Sequence, residues 1–310
     1  MSWLSSEVSN NLLTFKTMFI SIFLEALPFL LLGVIVSSLL QWFVSERLIS
    51  KMLPRHPLLG ILFACFFGVI FPICECGMVP VIRRLIAKGM PVYIATVFIL
   101  SGPILNPIVF FATYTAFRTR PEVVYSRMGL ALVVALVIGL LVYRFIQYQP
   151  LRFSLDTLYE EDLRERNHES WTDKLTSRLM HLCNEWFEMT KYLTVGALIT
   201  ALIHTFVSTS QLAAYGQGPV SSHLLMAGFA YLLSICSTSD AFVASSFVNT
   251  FSVGSLLTFL VLGPMLDLKG TLMLFSVFKT KFVLTLGAII LVVVLAFSIG
   301  WDHIVLRSFS

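Results

Sequence analysis

The sequence predicts an all-α polytopic membrane protein, with about eight transmembrane helices in two pseudo-symmetric halves whose motif helices are broken. Three observations carry that prediction. The 310 residues are 57% hydrophobic and only 12% charged, with a mean hydropathy of +0.87, where soluble domains run at roughly 45–50% and about 25%. The apolar residues gather in stretches long enough to cross about 30 Å of hydrocarbon. A cysteine-containing block near residue 74 recurs near residue 236. The composition excludes a soluble globule, a disordered chain and a nucleic-acid binder. The formal charge of +4 says little about partners, and five cysteines are too few and too irregular for a disulfide framework.

The apolar stretches fall near 15–44, 58–82, 91–117, 127–148, 186–207, 222–248, 252–276 and 282–300. They read as helices, because in lipid only helices or closed barrels satisfy every backbone group. Barrel strands would alternate polar and apolar residues, and LALVVALVIGLLV (130–142) does not. The first stretch has no basic region before it and is too long for a signal peptide, so it is expected to be retained. It contains Glu25, three residues before Pro28. Glu25 reads either as a proton-coupling group or as a hydrogen-bonding partner of another helix. The second stretch carries Pro72-Ile73-Cys74-Glu75-Cys76-Gly77 and then Pro80. Proline removes a helical hydrogen bond and clashes with the preceding turn, so a break is expected there. The third carries Ser101-Gly102-Pro103-Ile104-Leu105-Asn106-Pro107, which predicts another. The fifth ends near His204, read as interfacial; the sixth contains Cys236-Ser237-Thr238-Ser239-Asp240; the seventh contains Gly263-Pro264-Met265-Leu266-Asp267 with Lys269 beyond. His56, His168, His181, His223 and His303 fall in expected loops or at ends and have no zinc-ligand spacing.

Residues 150–184 differ from the rest. They hold seven acidic and five basic side chains and no long apolar run, which reads as an aqueous linker. Trp171, Leu175, Leu179 and Leu182 suit a short surface helix within it. The linker divides the chain into an N-terminal transmembrane repeat (1–149), a hydrophilic segment (150–184) and a C-terminal transmembrane repeat (185–310). Aligning Cys74 with Cys236 places Cys76 on Thr238. A one-residue slip then places Gly102-Pro103 on Gly263-Pro264 and Asn106 on Asp267, while upstream Glu25 and Gly33 fall on Glu188 and Gly196. Internal repeats are common in secondary transporters, with sites at the repeat interface on interrupted helices. The repeats could be parallel or inverted. The excess of lysine and arginine at alternate ends favours both termini and the linker on the cytoplasmic side.

The site residues expected from this pattern are Cys74, Glu75, Cys76, Asn106, Cys236, Thr238, Asp240 and Asp267, with Glu25 as the proton-coupling candidate. Carboxylates are costly in hydrocarbon, about 2.5–3.5 kcal/mol on insertion scales, so they face a cavity or a partner. Thiolate sulfur selects soft metals. Cys74, Cys76 and Cys236 would form a sulfur-rich metal or metalloid site if the two breaks meet. Plainer readings stand beside these: inert cysteines at a packing kink, hydroxyls that let helices pack closely, and Asn106 and Asp267 as helix caps. Lys269 either neutralises Asp267 or snorkels to the interface. No phosphate-binding loop, dinucleotide fingerprint or catalytic triad is evident, so no cofactor and no enzyme activity are expected.

Taken together, ICECG (73–77), SGPILNP (101–107), ICSTSDAF (235–242) and GPMLDLKG (263–270) make the chain resemble the bacterial predicted-permease family that includes the ArsP organoarsenical efflux permeases. The resemblance covers nearly the whole chain. It implies about eight helices in the bacterial cytoplasmic membrane and, where family activity is assigned, efflux of trivalent organoarsenicals through membrane cysteines. It carries those cysteines over to Cys74, Cys76 and Cys236. It also implies, for some members, a smaller membrane partner subunit and a link to zinc. The expected function is therefore a permease for a thiophilic metal, metalloid or organometalloid species. A zinc permease subunit acting with a partner, and a membrane thiol oxidoreductase, are the alternatives.

Overall fold

Local backbone chemistry sets most of the helix boundaries. The computed structural model describes residues 2–43, 49, 53–54, 56–70, 74–146, 150–152, 171–206, 218 and 220–308. The described residues form helices α1 (Ser2–Phe43), α2 (Pro57–Ile70), α3 (Glu75–Ala87), α4 (Val92–Ser101), α5 (Pro107–Ala116) and α6 (Pro121–Phe145). There follow α7 (Trp171–Phe206), α8 (Ser221–Leu233), α9 (Asp240–Ser245), α10 (Val253–Met265), α11 (Leu268–Val277) and α12 (Thr280–Ser308). Proline opens α2, α5 and α6, where the missing N–H has no helical partner to lose. Gly89 (φ +92°) turns the chain after α3, a conformation that suits glycine. Ser234 closes α8 in the left-handed region at φ 47°, which is uncommon for a residue with a Cβ.

Among the described residues, four stretches are long and apolar enough to cross a membrane: Asn11–Leu40, Pro121–Phe145, Val253–Val277 and Thr280–His303. Four shorter apolar helices, α2, α4, α5 and α8, accompany them. Several of the expected spans are thus not continuous helices. The stretch 58–82 is divided at Cys74, which is extended at φ −69°, ψ 167°, and 91–117 is divided at Gly102–Asn106. The stretch 222–248 is divided between Leu233 and Asp240. Pro28, by contrast, lies inside an unbroken α1. No strand occurs among the described residues, only an isolated bridge between Leu151 and Phe278.

The expected linker falls largely outside the described residues (153–170). Its two described ends are ordered differently from a free loop. Pro150 and Arg152 bond to the α11–α12 turn, through Lys279 N to Pro150 O (2.8 Å) and Arg152 N to Val277 O (2.9 Å). Its last residues, from Trp171, are already helical and run without interruption into α7.

Packing follows a recurring scheme. Helix α2 lies against α4 and α6, and α4 and α5 lie against α6. Helix α8 lies against α10 and α12, and α10 and α11 lie against α12. Contacts also cross between these groups: α6 lies against α10 and α12, α4 lies against α10, α3 packs on α11, and α9 packs on α5. The long helices α1 and α7 pack on each other; α1 also covers α3, and α7 covers α11. At the α1–α3 crossing the backbones meet, and a Cβ on Gly33 would lie 2.3 Å from the Gly77 carbonyl oxygen. The surface is inverted relative to a soluble protein. Leu24, Phe66, Phe145 and Val292 are exposed while Arg127, Asp240, Asp267 and Lys269 are buried. Lipid accepts the first set, and the second requires partners inside.

Candidate functional site

The helix breaks assemble the site. Glu75 is the first residue of α3 and Asp240 the first of α9, each following an interrupted segment with a cysteine. Asn106 caps α5, accepting a hydrogen bond from Val109 N at 2.9 Å. Asp267 caps α11 in the same way, accepting from Gly270 N at 2.8 Å. The contacts of α3 with α11 and of α9 with α5 then bring the four breaks into the interior. The Cys74 side chain is not used as a cap; its carbonyl accepts from Gly77 N and Met78 N, each at 3.1 Å.

Two buried cations hold the carboxylates. The Arg127 guanidinium donates to Asp240 Oδ2 at 2.7 Å, to Thr113 Oγ1 at 2.8 Å and to the Ser237 carbonyl at 3.2 Å. Lys269 Nζ lies 3.5 Å from Glu75 Oε1 and 3.9 Å from Asp267 Oδ2. All five charged residues are nearly sealed from solvent: Arg127 is 0% exposed, Asp240 2%, Asp267 3%, Lys269 4% and Glu75 7%. Three carboxylate oxygens among them, Glu75 Oε2, Asp240 Oδ1 and Asp267 Oδ2, are buried without a hydrogen-bond partner. Lone pairs left this way in a low-dielectric interior are costly unless something neutralises them.

The thiols border this charge cluster. Cys74 and Cys76 are in side-chain contact, and Cys236 is within electrostatic range of Cys74, Glu75 and Lys269. Thr238 Oγ1 donates to Cys236 Sγ at 3.7 Å. All five cysteines are unpaired. Among the described residues, no three histidine, cysteine or acidic side chains come together as a set able to hold a metal ion.

Of the residues expected from sequence, Glu75, Cys76 and Asp267 gather around Lys269, with Cys236 in range of them. Asp240 belongs to the neighbouring Arg127 pair. Asn106 is engaged as a cap and also donates to Gly102 O and Pro103 O. Glu25 stands at the edge, accepting from Ser239 Oγ at 3.5 Å. Lys269 does not snorkel; it points inward. Arg127 was not among the expected site residues. It was expected at the external end of the fourth stretch, and it is the seventh residue of α6. The only local signal was a lone arginine inside a helix that already begins at Pro121. His223 was expected in a loop or at a helix end, and it is the third residue of α8. Its ring is buried and bonded to Thr258 Oγ1 (2.9 Å) and Asp302 Oδ2 (3.2 Å).

The chain was compared with known proteins. A family model described as a predicted permease (ArsP_1) matches residues 11–300. The UPF0718 protein YcgR of Bacillus subtilis (strain 168) is 46% identical over 291 residues, covering 94% of this chain and 97% of that protein. A putative two-component membrane permease complex subunit of Streptococcus mutans serotype c is 36% identical over 279 residues, covering 90% of this chain and 92% of that protein. No solved structure matches.

Proposed function

The chain belongs to the predicted-permease family, as a multi-pass integral protein of the bacterial cell membrane, and from that premise we propose that it moves a thiophilic organometalloid species through the cluster at the helix breaks. The observation that carries the reading is the contact of the partly buried Cys74 with the buried Cys76 at the start of α3, beside Cys236 and a buried set of carboxylates. Two adjacent thiolates satisfy a trivalent centre that already carries one carbon substituent. Zinc asks for four ligands in a closed site, and no set of even three is preassembled among the described residues. That donor count favours the organometalloid over zinc. Cys236 and Thr238 stand close enough to contribute when the helices shift, and Asn106 and Asp267 then act as caps that keep the half-helices intact.

The recurring packing scheme supports two six-helix halves, α1–α6 and α7–α12, related as a repeat. In that arrangement each half's motif acid is paired with the other half's cation: Glu75 with Lys269, and Asp240 with Arg127. A rocking of the halves that opens one pair while the other stays closed gives alternating access. The Streptococcus mutans relative is named as a complex subunit, which favours a smaller membrane partner here as well.

The test is equilibrium binding and vesicle flux with phenylarsine oxide as the probe, run in parallel with zinc ion. The purified chain should bind the arsenical, and Cys74→Ser with Cys76→Ser should lose at least tenfold in affinity while the protein remains monodisperse. Unchanged binding in the double variant, or zinc bound in preference to the arsenical, would overturn the substrate reading.

A further inference from the structure

We propose that the outer side of the α9–α5 pair, with Glu25 at its edge, is a docking face for one transmembrane helix of a smaller membrane protein, and that this helix brings a lysine or arginine to Glu25. The inference rests on the reading of the chain as one subunit of a complex, and adds where the other subunit sits.

The first observation is a missing cover. In the repeat proposed above, α9 corresponds to α3 and α5 to α11, so the α9–α5 pair is the mate of the α3–α11 pair. The two pairs are finished differently. Helix α1 lies over α3, and α7 lies over α11 and touches α3. Every residue of α3 and α11 is buried or half-buried as a result. Among the described residues, neither long helix packs along α9 or α5. Their outer sides stay open: Phe111 is 65% exposed and Phe242 53%, with Ile108 and Tyr114 exposed beside Phe111. Ser246 is exposed one turn beyond Phe242. The position that this chain seals with its own long helices in one pair thus lacks a helix in the other.

The second observation is a charge without a counter-charge. Glu25 lies midway along the Asn11–Leu40 span and is exposed. Its polar contact among the described residues is Ser239 Oγ at 3.5 Å, just before α9. Phe29 and Leu32 follow on the same face of α1, one and two turns on, and both are exposed. That face is apolar and turned to hydrocarbon, unlike the lining of a water-filled cavity. A carboxylate at that depth needs a partner. The buried cations of this chain are engaged elsewhere, Arg127 with Asp240 and Lys269 with Glu75 and Asp267. Lipid tails fill the space beside Phe111 and Phe242 but offer Glu25 no charge. A second copy of this chain does not supply one either, because Lys16, Arg144, Lys191 and Lys281 lie near the ends of their apolar stretches. A foreign helix with a basic residue at mid-depth meets both needs. Ser239, Phe242 and Ser246 continue from Glu25 along one side of α9, and small hydroxyl residues let a helix approach closely.

The experiment places photoreactive benzoylphenylalanine at Phe111, at Phe242 and, as a lipid-facing control on α12, at the exposed Val292. The full chain is irradiated in its native membrane and each adduct is identified by mass spectrometry. Phe111 and Phe242 should capture the same smaller membrane protein, with a lysine or arginine inside a transmembrane span, and Val292 should capture lipid. Glu25→Gln should lower the protein adduct about tenfold, the scale of one interhelical polar contact. Replacing the basic residue of the captured span by glutamine should lower it as much, with no further loss when both changes are combined. Lipid alone at Phe111 and Phe242, a second copy of this chain there, a captured span without a basic residue, or an adduct that Glu25→Gln leaves unchanged overturns the proposal. A smaller protein captured from Val292 and not from the two phenylalanine positions overturns the docking face and leaves the subunit reading standing. Lipid at all three positions, with the chain migrating alone in native gels, overturns both.

Discussion

Arg127 and Asp240 are 113 positions apart, yet their side chains meet at 2.7 Å with no solvent around them. Neither charge is affordable alone at that depth. Arg127→Met removes the guanidinium, strands the Asp240 carboxylate, and also releases Thr113 Oγ1 and the Ser237 carbonyl. Breaking one partner of a buried pair typically costs about 3–5 kcal/mol, whereas replacing both by apolar residues of similar volume is often neutral. The thermal midpoint in nanodiscs should therefore fall sharply for Arg127→Met and recover most of the loss in Arg127→Met with Asp240→Leu. A double variant as unstable as the single one would mean that the pair acts through something other than charge. Glu75 and Lys269 differ in kind: their 3.5 Å separation and shared third partner make a looser contact.

At the scale of elements, the tightest constraint is the crossing of α1 over α3. A methyl group on Gly33 would overlap the Gly77 backbone, with contacts of 2.3 Å to the carbonyl oxygen and 2.5 Å to Cα. Backbone cannot step aside as a side chain does, so α1 must lift off. Gly33→Ala should destabilise by about 1–3 kcal/mol, the range for overpacking a tight core. Gly129→Ala in α6, where a Cβ meets nothing within 4 Å, should be neutral or stabilising, since alanine gains up to about 1 kcal/mol of helix propensity over glycine. Equal thermal midpoints for the two variants would refute the close crossing. The breaks that start α3, α5 and α11 were legible in the sequence because proline, glycine and capping side chains act over three or four residues. The caps at Asn106 and Asp267 were legible for the same reason, as one of two readings. The continuation of α7 back to Trp171 was not, because a charged amphipathic stretch reads the same whether it ends in solvent or runs into a span. Arg127 was hidden because its meaning lies in a partner on a distant helix, which no local pattern reports.

For the whole molecule, sidedness follows from where the basic residues lie. The lysine and arginine bias favours both termini and the linker on the cytoplasmic side, and the native cysteines provide a direct check. Cys183 is exposed on α7 within the charged stretch, while Cys65, Cys76 and Cys236 are buried and Cys74 is only partly accessible. A membrane-impermeant maleimide should leave Cys183 unlabelled in intact cells and label it rapidly in inverted vesicles. Cys183→Ser should remove that fast signal and leave only slow reaction at Cys74. Fast labelling of Cys183 from outside intact cells would reverse the topology.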